Sequence, residues 1–407
     1  MSGNEKKMLV PLLRFPEFQT EEGWSIEFGN MLFEHISNKD HNSDLPVLAI
    51  TQEQGAIPRD MIDYHVSVTD KSLESYKVVE VGDFIISLRS FQGGIEFSKY
   101  RGICSPAYVI LRLRHDHSAD YFRYYLKTER LISQMTKNLE GLRDGKMISY
   151  KQFSELGLPV PSLEEQQKIA DCLSSLDDLI TAEAQKLDAL KKYKQGLMQQ
   201  LFPRDGESIP RLRFPEFQEA GEWKEVKLST QIDLISGLHL TPEQYSDAGE
   251  IPYFTGPSDY TNYLSGVSKW TVRRANIGNA GDILITVKGS GVGELLYLRL
   301  DAVAMGRQLM AVRPRGAHGK FIYHLLATQR QKLVVLASGN LIPGLSRNDI
   351  LGLEISIPEL SEQQAIAVFL SSIDDLITAQ SHKVDALKIH KKGLMQQLFP
   401  MHDEVRA

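Results

Sequence analysis

The sequence predicts an α+β protein: two similar, mixed α/β heads joined by two long helices that pair as an antiparallel coiled coil with pseudo-twofold symmetry. Three observations predict it. The 407-residue chain repeats most of its pattern once. Two matched segments carry an apolar heptad long enough for an extended helix. Between them lie short strand patterns broken by glycine-containing loops.

The repeat comes first. Residues 163–203 match 360–400 at 29 of 41 positions, and Gly196–Pro203 is identical to Gly393–Pro400. The stretch "LRFPEFQTEEGW" (13–24) returns as "LRFPEFQEAGEW" (212–223). A period of about 200 residues is far above that of solenoids and points to duplication. The expected boundaries are a first head over 1–161, a helical segment over 162–203 and a linker over 204–222. A second head over 223–358, a helical segment over 359–400 and a tail over 401–407 follow. Identity is uneven: the helical segments are held nearly constant while the heads have diverged.

In the first helical segment the seam is Ile169, Leu173, Leu176, Ile180, Glu183, Leu187, Leu190, Lys194, Leu197 and Leu201. In the second it is Ile366, Leu370, Ile373, Ile377, Gln380, Val384, Leu387, Lys391, Leu394 and Leu398. Both alternate steps of four and three, and both turn polar at the same two places. Acidic first turns follow Pro161 and Pro358, which suits the helix dipole. Pro203 and Pro400 end the helices. Each is expected to run about 36 residues, roughly 54 Å. A lone amphipathic helix needs a partner for its apolar face. Each is the other's obvious partner, and antiparallel pairing would bring Glu183 and Gln380 to nearly the same level. The outcome expected is a dumb-bell whose heads are about one to one-and-a-half turns of B-DNA apart.

The heads share a strand signal. "VGDFIISLRS" (81–90) sits against "AGDILITVKG" (280–289), each a Gly-Asp turn followed by alternating apolar residues, with Arg89 aligned to Lys288. "LKTER" (126–130) aligns with "LATQR" (326–330), and "ISYKQFSELGLPVP" (148–161) with "LSRNDILGLEISIP" (345–358).

Composition bounds the function. Net charge is −6 and pI near 6.0, which argues against a chain that coats nucleic acid indiscriminately. Locally, residues 224–357 carry 14 Lys+Arg against 11 Asp+Glu, and 25–158 carry 16 against 18. No apolar run reaches the ~18 residues of a membrane span. The N-terminal stretch does not read as a signal peptide. Two cysteines make no disulfide framework or metal cluster, so a reducing cytoplasm is expected.

Catalytic signatures do not assemble. "GSGVGE" (289–294) lacks the lysine and hydroxyl of a phosphate-gripping loop, and it does not open a dinucleotide site. The Asp/Asn-Pro-Pro-aromatic signature of amino-methyltransferases is absent. His115 and His117 lack further ligands nearby. Ser105 lacks a nucleophile-elbow context. The sequence reads as a binding protein, without a cofactor or metal of its own. Its loops mix basic, amide, hydroxyl and glycine residues suited to base edges and phosphates. The candidates are Arg89, Gln92, Lys99, Arg101, Arg143 and Lys146 in the first head. In the second they are Tyr260, Lys288, Ser290, Arg307, Gln308, Asn340 and Arg347.

The double layout resembles the DNA-specificity subunit of type I restriction–modification systems. The features that carry this are the paired "LMQQLFP" endings, the "EEQQKIA" and "EQQAIA" helix starts, "RGICSPAYVILR" (101–112) and "GRQLMAV" (306–312). The resemblance implies a non-catalytic cytoplasmic chain in host defence, each head a target-recognition domain for one half of a split DNA site. It implies a spacer of two helices that dock two methyltransferase subunits. Those partners would carry S-adenosylmethionine and methylate flipped adenine, and a helicase–nuclease would join them. Identical residues off the seam would face the methyltransferases: Asp177, Asp178, Gln199 and Gln200, with Asp374, Asp375, Gln396 and Gln397. Two readings stay open beside this one: a two-headed protein–protein adaptor without sequence-specific DNA binding, and an enzyme with degenerate motifs.

Overall fold

The computed structural model describes residues 8–62, 73–87, 94–137, 148–273, 276–338 and 344–400. They fall into two compact units, Met1–Glu183 with Lys383–Ala407, and Ala184–His382. This division differs from the boundaries read in the sequence, because each long helix serves both units. Its apolar ends are built into different cores.

In the first unit, β1 (Ser25–Phe28), α1 (Gly29–Leu32), β2 (Phe33–Ile36), β3 (Leu48–Thr51), β4 (Gly55–Pro58), β5 (Lys77–Val79), β6 (Phe84–Ile86), β7 (Glu96–Phe97), β8 (Gly102–Cys104) and β9 (Val109–Leu113) come first. Then come α2 (Ala119–Tyr125), α3 (Glu129–Lys137), α4 (Tyr150–Ser154), β10 (Gly157–Val160) and the long α5 (Leu163–Leu201). The main sheet has the order β2-β9-β6-β7, every pair antiparallel. Strands β1 and β10 pair at the base of α5.

The second unit carries β11 (Lys224–Lys227), β12 (Ile232–Ser236), β13 (Ile251–Phe254), β14 (Trp270–Thr271), β15 (Ile277–Asn279), β16 (Ile283–Thr286), β17 (Leu295–Tyr297), β18 (Ala302–Met305) and β19 (Leu309–Pro314). It continues with α6 (Gly319–Thr328), α7 (Arg330–Ala337), α8 (Arg347–Leu351), β20 (Glu354–Ile357) and α9 (Leu360–Leu398). Its sheet β12-β19-β16-β17 repeats the order of the first, beside a second sheet β14-β13-β18-β15. The repeated Gly-Asp turns explain themselves here. Gly82 and Gly281 take φ of 94° and 93°, open to glycine at little cost. Asp83 then caps the Glu80 N–H (2.8 Å) and accepts a fork from Arg112 (2.7 and 2.8 Å). Asp282 does the same for Asn279 (2.8 Å) and Arg313 (2.9 and 2.7 Å).

The shared ends of the repeat form a clamp. Arg14 donates two hydrogen bonds to Glu165 (2.8 Å each), and the Trp24 indole donates a third to it at 3.0 Å. Arg213 and Trp223 repeat this on Glu362 at 2.7, 2.6 and 3.4 Å. The following glutamine accepts from a head backbone N–H, Gln166 from Ser118 (2.8 Å) and Gln363 from His318 (2.9 Å). Residues 204–222, read as a linker, therefore hold a packed arm. Phe399 stacks edge-on against Tyr121 and Tyr125 in the first core, and Phe202 meets Trp223 and Phe321 in the second.

Both long helices span 39 residues, three more than expected. Their seam is the less exposed stripe throughout, with Ile169, Leu173, Ile366, Leu370, Ile373 and Val384 buried. Within each unit the two helices run antiparallel. In the second, Lys194 donates to Asp374 at 2.5 Å; in the first, Lys391 donates to Asp177 at 2.5 Å. Lys383 also meets Glu183 at 2.5 Å. Each seam lysine is thus matched to an aspartate of the other helix.

Removing one member of such a part-buried pair strands the other. Lys194→Asp is expected to cost about 1–3 kcal/mol in urea unfolding. The swapped double variant, Lys194→Asp with Asp374→Lys, should recover at least half of the loss; no recovery would mean that the pair does not set register.

Candidate nucleic-acid interface

In the second head, loops from several strands converge at one place. A hairpin joins β16 to β17 with Gly289 and Gly293 at φ of 88° and 83°. Its Val287 N–H donates to the Gln308 carbonyl at 2.7 Å, and Lys288 pairs its backbone with Gly344. A Cβ on Gly291 would lie 2.5 Å from Pro257, so that loop abuts too. The Gly306 N–H donates to the Phe254 carbonyl at 2.7 Å, and Arg347 reaches the Ser236 hydroxyl at 3.0 Å.

Of the sequence candidates, Lys288, Ser290, Arg307, Gln308 and Arg347 belong to this cluster. Lys288, Ser290, Arg307 and Arg347 are exposed and Gln308 is half-buried. Among the described residues no carboxylate pairs with Lys288 or Arg307. Tyr260 is a correction. Its hydroxyl is shared with Thr286 at 3.0 Å, its ring packs near Phe254, and burial pushes its phenol well up. It shapes the head rather than presenting a free polar contact.

In the first head, Lys99 is exposed, and Arg101 is exposed and pairs with Glu80 at 3.2 Å. Arg89, Gln92, Arg143, Lys146 and Asn340 lie outside the described residues. The paired strands β6 and β7 are anchored, however. Buried Glu96 accepts from Lys127 at 2.5 Å, and Lys127 also reaches the Gln52 carbonyl at 3.1 Å. Burial pushes the Glu96 carboxyl up to about 7, with Lys127 pulling against it. The second head ties its hairpin the same way, Arg330 to Glu294. Sequence reasoning missed this anchor, because its members change identity between the copies.

The helix residues expected to face partners divide into two groups. Asp178, Gln199, Gln200, Asp375, Gln396 and Gln397 are exposed. Asp375 also meets Arg299 at 3.3 Å, Gln396 meets Glu129, and Gln199 lines a groove of about 1090 Å³ in the second unit. Asp177 and Asp374 are corrections: each neutralises the opposite helix's seam lysine. Each also faces its head. Tyr124 donates to Asp177 at 2.8 Å, whereas His324, at the matching position, stands 3.9 Å from Asp374. Both His324 nitrogens are shielded and without a partner among the described residues. Burial, with Lys194 and Lys320 nearby, pushes that imidazole down to about 3.

The fold and these loops define a two-headed recognition protein, with divergent reading surfaces on a repeated scaffold. The family model for the type I restriction modification DNA specificity domain matches twice, at residues 26–192 and 220–388. The chain belongs to that family; it is a specificity subunit and not a catalytic one. Among similar proteins, the type I restriction enzyme MjaVIII specificity subunit of Methanocaldococcus jannaschii is 27% identical over 82% of this chain and 81% of its own. The putative MjaX specificity subunit of the same organism is 27% identical over 72% of this chain and 67% of its own. The crystal structure of a type I restriction-modification S subunit from M. genitalium superposes with a TM-score of 0.59 at 16% identity, covering 97% of this chain and all of that one (100%). A chain from a study of complex assembly and conformational transition of the type I R-M system gives 0.58 at 20% identity, over 93% and 98%. At such identities the likeness is one of fold.

His324 makes the second unit sensitive to acid. The unfolded imidazole takes a proton near pH 6.5, while the folded one refuses it down to about 3. Stability is therefore full above pH 6.5 and falls as pH drops through that window. His324→Tyr, the first unit's solution, is expected to remove this slope. By pH 4.5 the variant should gain roughly 2–3 kcal/mol on wild type in urea unfolding. Parallel pH profiles would show that the ring takes up its proton when folded.

Proposed function

We propose that each head reads one half of a split DNA target, and that the helices set the spacing and present two equivalent surfaces to two methyltransferase subunits. S-adenosylmethionine belongs to those partners, and a helicase–nuclease completes the complex. One observation carries the reading: the exposed pairs Asp178/Asp375, Leu179/Leu376, Gln199/Gln396 and Gln200/Gln397 are the same in both copies while the convergent loops differ. Two identical partners need two like surfaces; two different half-sites need unlike loops.

The docking set is Asp178, Gln199, Gln200, Asp375, Gln396 and Gln397, to which Leu179 and Leu376 are added. These leucines occupy matching positions and are 43% and 58% exposed. Exposed apolar side chains ringed by polar ones suit a protein interface. Being exposed, they can be changed without disturbing either core.

Leu179→Asp or Leu376→Asp should reduce the bound methyltransferase from two copies to one, and the double variant to none, in native mass spectrometry. Two copies on the double variant would place docking elsewhere. Exchange of residues 224–357 for another head should change one half of the methylated sequence when modified adenines are mapped across a genome. A change in both halves, or no sequence preference at all, would favour the protein–protein adaptor.

A further inference from the structure

In the second head the turn after β13 is held by a compact polar network. The Asp259 carboxylate accepts from the Thr255 N–H at 2.7 Å and from the Thr255 hydroxyl at 2.6 Å. The Lys269 ammonium donates to both Asp259 oxygens, at 3.0 and 3.1 Å, and to the Thr255 hydroxyl at 2.9 Å. The Lys269 backbone is tied to the same strand, its carbonyl accepting from the Tyr253 N–H at 2.8 Å. The Asp259 side chain is only 10% exposed, so the pair holds the turn in one geometry at the cost of a stranded charge if either member is removed.

The held turn presses on one side chain. Gly256 follows Thr255 in extended backbone, φ −172° and ψ −175°, which any residue adopts. A Cβ built there would lie 3.1 Å from the Gln308 Oε1, tighter than an ordinary contact. The Gln308 backbone is fixed from the opposite side, its carbonyl accepting from the Val287 N–H at 2.7 Å. The Gln308 side chain is half-buried, and its carboxamide has no hydrogen-bond partner among the described residues. Main chain and side chain are thus both restricted while the polar end is left unspent. Such restriction lowers the ordering cost of any contact that the amide makes.

We propose that Gln308 reads the major-groove edge of an adenine in the target of the second head, and that Thr255, Asp259 and Lys269 position it through the turn at Gly256. A glutamine carboxamide matches adenine with both ends, accepting from N6 and donating to N7. Guanine offers two acceptors on that edge, cytosine a donor alone, and thymine an acceptor beside a methyl group. Adenine alone satisfies the whole amide. The inference rests on the reading that each head recognises one half-site.

The test uses the full chain assembled with its methyltransferase subunits and maps modified adenines across a genome. Gln308→Ala should relax one adenine position in one half-site, raising methylation at sites with another base there by about tenfold to a hundredfold. Gly256→Ala should relax the same position with an unchanged urea midpoint, because the end of a long side chain gives way and the fold does not. Asp259→Ala and Thr255→Val should act at that position too, whereas Thr255→Ser keeps the hydroxyl and should keep wild-type specificity. Combined with Gln308→Ala, Gly256→Ala should add no further relaxation. Unaltered specificity in Gln308→Ala, an effect at a base other than adenine, or uniform weakening at all sequences overturns the proposal. Full additivity of Gly256→Ala with Gln308→Ala overturns the positioning role. If exchange of residues 224–357 changes one half of the target and Gln308→Ala changes neither, the head reads DNA without Gln308. If the exchange changes both halves or none, the reading of one half-site by each head is itself wrong.

Discussion

The rest of the structure depends on a reciprocal exchange of charge between the two long helices. Each carries one lysine on its apolar seam and one aspartate beside it, and each lysine is neutralised by the other helix's aspartate. A parallel, in-register pair would set like against like, Lys194 facing Lys391 and Asp177 facing Asp374. Apolar heptads alone accept either direction. The two ion pairs choose one, because the wrong order leaves part-buried charges opposed. This is specification rather than raw stability: a pair of this kind contributes modestly, while its mismatch costs several times more.

Direction matters because the heads are built onto the helix ends. The Arg14–Glu165–Trp24 and Arg213–Glu362–Trp223 clamps hold the start of each helix, and Phe399 and Phe202 carry the end of each into a core. A residue such as Leu201 therefore has two duties, closing a seam and filling a head. That is why the short "GLMQQLFP" phrase is kept in both copies. Its apolar members serve two cores, and only its glutamines remain on the outside.

Periodicity made the helices legible, and duplication made the repeated architecture legible. Both are patterns that survive averaging over many residues. The Gly-Asp turns were legible too, since their conformation and cap need those residue types. Asp177 and Asp374 were misassigned for a physical reason. Identity between copies is produced equally by a shared partner outside and by reciprocal pairing inside, and the sequence does not separate the two. Tyr260 shows the complementary difficulty. A tyrosine in a polar loop has the composition of a contact residue, but its hydroxyl is already spent on Thr286. The hairpin anchors were invisible because Lys127–Glu96 and Arg330–Glu294 keep their role while changing residues and positions.

The copies also differ in how closely head and helix are tied. Behind Asp177 stands a tyrosine that completes its hydrogen bonding, with Arg123 stacked on that ring at 4.7 Å. Behind Asp374 stands a histidine too distant to bond. Lys392 reaches Glu129 at 2.7 Å across the first unit's helix–head edge, while the matching positions in the second, Gln195 and Gln329, both line the open groove. Closely similar helices thus sit before unequal heads. The arginine, the tryptophan and the Gly-Asp turn recur in both heads, because these carry the fold. What changes with the head is the set of groups behind the helix aspartates. The matched helix faces around Asp177 and Asp374 can therefore agree in sequence and still differ in what stands behind them, a tyrosine in one unit and a histidine in the other.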